Sequence, residues 1–131
     1  MASIFSRIIL GEIPCHKISE NETCISFLDI NPLTKGHTLV VPKLEIDYLF
    51  DLDDKLFSDL WLHARLISDA LLKATSCKRV GAAVVGFEVP HAHIHLVPMF
   101  EMSDINFSNE RLMFSFDELS NISNSIRSFL K

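Results

Sequence analysis

Three of the chain's six histidines, His91, His93 and His95, alternate within the stretch PHAHIHLV. Alternate residues of a strand share a face, so this spacing predicts three imidazoles in one row, with Ala92, Ile94 and Leu96 on the apolar side. Two chemistries fit such a row. One is a metal site, because His-x-His on a strand binds zinc with a further ligand from elsewhere. The other is covalent: one imidazole attacks phosphorus or carbon while its neighbours orient it and hold anionic oxygens. Spacing alone leaves both open.

The elements that must position this row are legible from periodicity and caps. SIFSRIIL predicts a short helix capped by Ser3, with Ile4, Phe5, Ile8 and Ile9 on its apolar side and Gly11 at its end. CHKISENETCISFLDI predicts a hairpin that turns at Glu20, Asn21 and Glu22. HTLVVP is a strand stopped by Pro42. Leu56, Leu60, Ile67, Leu71 and Ala74 mark one face of a long helix within residues 51–77, with Asp51, Asp53 and Asp54 at its positive end. RVGAAVVGF predicts a buried strand, and the histidine strand follows, closed by Pro98. Phe116, Leu119, Ile122, Ile126 and Phe129 form the stripe of a last helix, with Ser115 and Glu118 at capping-box spacing. This order of elements predicts an α+β fold with an antiparallel sheet.

Composition bounds the function. A chain of 131 residues, 48% hydrophobic and 22% charged, suits one folded domain. No apolar run approaches the roughly 18 residues of a membrane span. The opening MASIFSRIILGEIP meets Gly, Glu and Pro too early for a signal-peptide core, so a cytoplasmic protein is expected. Cys15, Cys24 and Cys77 are scattered, as free thiols in a reducing compartment would be. A net charge of −5 without a Lys/Arg cluster argues against a nucleic-acid polymer as partner, though a small anion remains compatible.

HAHIHLV resembles the motif that names the histidine triad (HIT) superfamily of nucleotide hydrolases and transferases. IFSRIILGEIP and SFLDINPLTKGHTLVVPK resemble that family's opening and hairpin-to-strand segments, so the likeness runs from about residue 4 to residue 99. The resemblance implies a single HIT domain over residues 1–131, with the C-terminal helix, about 115–131, outside the family signal. It implies an antiparallel sheet of about five strands, flanking helices and a two-fold dimer through the strand before the histidines and the long helix. It also implies a hydrolase or nucleotidyl transferase acting at the α-phosphate of a purine ribonucleotide derivative. By that analogy His93 is the nucleophile and carries a covalent nucleotidyl group, His95 binds phosphate oxygens and His91 orients the row. His37 either joins this network or is a buried structural histidine. Asp29 matches the ribose-binding acid. Ile4, Phe5, Ile8, Phe27, Ile30 and Val89 are the candidate lining of the base slot.

The chain also departs from the family pattern. Many bacterial relatives hold structural zinc with two cysteines, a histidine after VPK and the first histidine of the row. The matching positions here are Ser3, Ser6 and Glu45, so no metal and no cofactor is expected. His63, on the long helix, reads as a surface or helix-face residue. RVGAAVVGFEVPH lacks the Asn and Gly-Gln-Ser or Gly-Gln-Thr of many relatives, and Glu88 stands where a hydroxyl residue would be. Partial burial would favour its protonated form and make Glu88 a candidate general acid. The altered loop also keeps open a different class: a nucleotide-binding protein with little turnover.

Overall fold

The computed structural model describes residues 2–130. Helix α1 (Ile4–Ile9) starts where the Ser3 side chain accepts from the Ser6 N–H, and it ends before Gly11, whose φ of 81° suits a residue without a Cβ. Strands β1 (Lys17–Glu20) and β2 (Cys24–Leu28) form the expected hairpin, and β3 (Thr38–Pro42) follows. A 3-10 turn at Leu49–Asp51 leads into the long helix α2 (Asp54–Thr75), capped by Asp53 accepting from the Leu56 N–H. Strands β4 (Arg79–Ala83) and β5 (Ile94–Met99), a second 3-10 turn (Met102–Ile105) and α3 (Phe116–Arg127) complete the chain. Lys131, the end of the expected last helix, lies outside the described residues.

The five strands form one antiparallel sheet in the order β1-β2-β3-β5-β4. Helix α2 packs Leu60, Ala64, Ile67 and Leu71 against Val40, Ile94 and Leu96 on one face. Each such buried Leu or Ile stabilises the fold by roughly 1.5–3 kcal/mol. On the other face Phe5 of α1 packs with Ile25, Phe27, Leu39 and Val41. Register now decides where the histidines go. Leu39 pairs with His95, and Val40 with Ile94. His95 therefore shares the face of Leu39, under α1, while Ile94 and Leu96 face α2.

Four expectations need correction. The 79–87 segment is not a buried strand: only residues 79–83 pair, and they are half-exposed because β4 stands at the end of the sheet. β5 begins at Ile94, not at the first histidine. Pro42 has no N–H to continue the ladder, and the Ala92 N–H donates to the Ile46 carbonyl instead, at 2.7 Å. His63 is buried rather than superficial. Its ring lies 3.3 Å from Ser26 Oγ and 3.4 Å from Asn21 Nδ2, so the hairpin satisfies it. Phe116, at the start of the last stripe, is exposed and packs against the His16 ring, while Leu119, Ile122 and Ile126 carry the burial.

The capping box of α3 is complete, since Ser115 Oγ accepts from the Glu118 N–H and Glu118 accepts from the Ser115 N–H. Ser115→Ala is expected to cost about 1 kcal/mol. A fall in the urea midpoint with an unchanged slope checks this; an unchanged midpoint contradicts it.

Candidate active site

The three histidines share the α1 face, as their alternation predicts, but they are not equally placed. His91 lies buried beneath the site, and the rings of His93 and His95 meet at 4.8 Å between centroids. Before Ile94 the backbone turns, with the His91 N–H donating to the Val89 carbonyl. The same turn points the His91 carbonyl at the His93 ring, 2.7 Å from Nδ1.

Hydrogen-bond partners assign each tautomer. A carbonyl can only accept, so His93 Nδ1 carries the proton and Nε2 carries the lone pair. His91 Nε2 donates to the Pro42 carbonyl at 2.7 Å, which leaves His91 Nδ1 to accept from the Ser3 hydroxyl at 2.7 Å. On the other side the Leu33 N–H donates to His37 Nδ1 at 3.0 Å. His37 Nε2–H then donates to His95 Nδ1, also at 3.0 Å, and His95 Nε2 carries a proton. Neither His93 Nε2 nor His95 Nε2 has a hydrogen-bond partner among the described residues. Among the described residues no fully buried side-chain nitrogen or oxygen lacks one, so both atoms reach solvent-accessible space. The pair offers a nucleophile beside a neutral N–H donor, the equipment for attack on an anionic phosphorus centre.

Burial keeps these rings neutral. It lowers the His93 pKa below the ordinary imidazole value, against the opposing pull of the His91 carbonyl and Glu88. It pushes His95 down to about 3, helped by His93, His37 and Arg111, and His37 to about 3, helped by Arg111 and His93. A neutral His93 keeps its lone pair at pH 7.

His93 and His95 open onto a cavity of about 280 Å³. That is near the lower end of ordinary small-ligand pockets. Ile4, Phe5, Ile8, Phe27, Ile30 and Val89 all line it, as do Asp29 and Glu88. The Phe5 ring stands edge-on to His93 at 5.0 Å. Asp29 Oδ1 accepts from the Asn31 N–H at 2.8 Å, and burial raises the Asp29 pKa. His91 and His37 lie behind the wall. Glu88 is exposed at the rim, so the burial that would favour its protonated form is absent. Ile13, Pro14, Cys15, Asn31 and Leu39 also line the cavity but were not anticipated. Only Leu39 had a usable signal, its alternation with Val41 on a strand that must neighbour the histidines.

Asp29, His37 and His95 place ligand atoms within 4.8 Å of one another. They do not fit a metal ion, because His37 Nε2 and His95 Nδ1 are committed to each other.

A family model for the HIT domain matches residues 10–102. The chain belongs to the HIT domain family. An uncharacterized HIT-like protein of Borreliella burgdorferi is 39% identical over 111 residues, 79% of this chain and 80% of its own length. The adenosine 5′-monophosphoramidase of Saccharomyces cerevisiae is 35% identical over 98 residues, 74% of this chain and 62% of the yeast protein. A crystal structure of a HIT-like protein from Bartonella henselae superposes with a TM-score of 0.84 at 27% identity, covering 96% of this chain and 95% of that one. The α+β architecture is therefore that of solved HIT proteins.

In this HIT domain the positions matched to zinc ligands form a closed hydrogen-bonded cluster. Glu45 Oε1 accepts from the Ser3 N–H at 2.7 Å and the Ser6 hydroxyl at 2.6 Å, and Ser3 donates to His91. Hydroxyl donors already committed to carboxylate and imidazole do not fit zinc. The cluster instead ties the cap of α1 to His91.

The pH dependence of stability follows in sign. His37 and His95 bind protons readily only when unfolded, so their contribution is complete above pH 6.5 and is lost as pH falls toward about 3. Each contributes a slope of about 1.4 kcal/mol per pH unit within that window. Urea midpoints should fall steadily from about pH 6.5 to about pH 5. A flat profile across that interval would show that these rings are not held neutral.

Proposed function

We propose that this HIT protein is a hydrolase or nucleotidyl transferase acting at the α-phosphate of a purine ribonucleotide derivative. The observation that carries the reading is the His93 tautomer. Its Nε2 lone pair attacks phosphorus, a P–N bond forms, and the bond to the leaving group breaks with its electron pair. The ring becomes cationic, and its Nδ1–H still donates to the His91 carbonyl, which stabilises that charge. His95 Nε2–H donates to a phosphate oxygen. Water then attacks the nucleotidyl-histidine and releases the nucleoside monophosphate. The departing group takes its proton from water at the open rim of the cavity. Asp29 accepts from the ribose hydroxyls, and the apolar wall of Phe5, Ile8 and Phe27 takes the base.

The named activity of the yeast relative, on an adenosine 5′-monophosphoramide, is consistent with this chemistry. No helix among the described residues is long and apolar enough to cross a membrane. A cytoplasmic location suits the free thiols of Cys15, Cys24 and Cys77. The dimer belongs to the same reading: β4 stands at the sheet's end, and α2 exposes Leu62, Leu66 and Leu72.

His93→Ala should lower turnover of adenosine 5′-phosphoramidate by about a thousandfold or more, because the covalent route is closed. AMP affinity should change by no more than about threefold. Near-normal turnover in the variant contradicts the mechanism. Binding without turnover in the wild type would favour a nucleotide-binding role.

Asp29→Ala should weaken AMP by on the order of 1.5–3 kcal/mol and leave 2′,3′-dideoxy-AMP nearly unchanged. Equal losses by calorimetry would remove Asp29 from ribose recognition.

A further inference from the structure

The residues after β5 turn back over the site beyond the matched HIT segment. The Leu112 N–H donates to the Pro32 carbonyl at 2.9 Å, and Arg111 Nη1 donates to the Asn31 carbonyl at 2.7 Å. These bonds anchor the segment beside Asp29. The half-buried Phe107 ring stands edge-on to His95 at 4.8 Å and 72°, and to His37 at 6.4 Å and 78°. The His93 ring also meets His95, at 4.8 Å between centroids. The Arg111 guanidinium carbon lies 5.7 Å from the Phe107 centroid, a distance at which a cation holds an aromatic ring.

We propose that Phe107 is a positioning residue of this active site: it seats His95 against His93 and keeps water from the His37–His95 hydrogen bond, with Arg111 clamping it in place. The proposal rests on the reading of His95 as the phosphate donor. A single hydrogen bond to His37 fixes the His95 tautomer but leaves its ring free to tilt about that axis. Ring contacts with Phe107 and His93, each at 4.8 Å between centroids, limit that tilt. The charged and titratable groups around His95 are His93 just before its strand, His37 ahead of β3, Asp29 after β2, and Arg111 on the returning segment. None of these can substitute for an apolar wall. Without Phe107, water solvates the ring and its protonated form becomes accessible. A protonated His95 releases the His37 bond, because both facing nitrogens then carry protons.

The test uses the full chain with 15N-labelled histidine and three proteins: wild type, Phe107→Leu and Phe107→Ala. In the wild type His95 should stay neutral down to about pH 5. In Phe107→Ala it should titrate with a midpoint above about pH 5, and Phe107→Leu should fall between. With adenosine 5′-phosphoramidate, kcat should fall by about tenfold to a hundredfold in Phe107→Ala, more in acid than at neutral pH, with KM changed much less. A folded Phe107→Ala that keeps the wild-type His95 titration and kcat overturns the proposal. If the alanine variant does not fold, Phe107→Leu decides it, and wild-type values there overturn it. The titration arm needs no substrate. Absent turnover in the wild type defeats the enzyme reading alone, whereas an unmoved His95 titration defeats only this inference.

Discussion

The site depends on one short hydrogen bond, from His93 Nδ1–H to the His91 carbonyl at 2.7 Å. It spans only two residues, so it is made where the chain turns just before β5. The bond does two things. It chooses the tautomer whose free nitrogen is Nε2, and it fixes the ring plane. Everything that holds the His91 carbonyl in place therefore serves His93. The His91 ring is pinned by the Pro42 carbonyl at the end of β3 and by Ser3 at the cap of α1. Glu45 secures Ser3 in turn. A helix cap, a strand end and a loop carboxylate converge on one peptide group.

The second requirement is a dry environment. Imidazoles in water would be partly protonated near neutral pH; here burial holds His93, His95 and His37 in the neutral form. Neutrality lets the Leu33 N–H, His37 and His95 form a directional relay, each donating to the next. The relay ends in a donor at the cavity, beside the acceptor lone pair of His93. Two separate chains of hydrogen bonds thus leave one nitrogen bare and one protonated, in rings 4.8 Å apart between centroids. The covering elements, α1 with Phe5 and the returning segment with Phe107, matter chemically because they exclude water.

Much of this architecture was legible in the sequence because it rests on local rules. Ser3 and Ser115 each cap the helix they were expected to start, and of the three acids expected at the positive end of α2, Asp53 is its cap. Apolar alternation placed Ile94 and Leu96 in the core and the family motif pointed to the residues that line the cavity. What could not be read were long-range commitments. That the Pro42 carbonyl takes the His91 ring and the Ile46 carbonyl takes the Ala92 N–H is a consequence of which strand lies alongside, and it delays the start of β5 to Ile94. His63 looked superficial because its partners, Ser26 and Asn21, belong to a hairpin far away in sequence. Phe107 carries no periodic signal; it matters only because the chain returns to cover His95.

The His93 tautomer is the claim from which the chemistry follows, and it can be observed without any substrate. Long-range 1H–15N correlation spectra of the 15N-histidine protein near neutral pH report which ring nitrogen bears the proton. The account predicts a protonated Nδ1 and a pyridine-like, unprotonated Nε2 for His93. A protonated Nε2 on His93 in the folded protein would contradict it, because the nitrogen facing the cavity would then have no lone pair with which to attack.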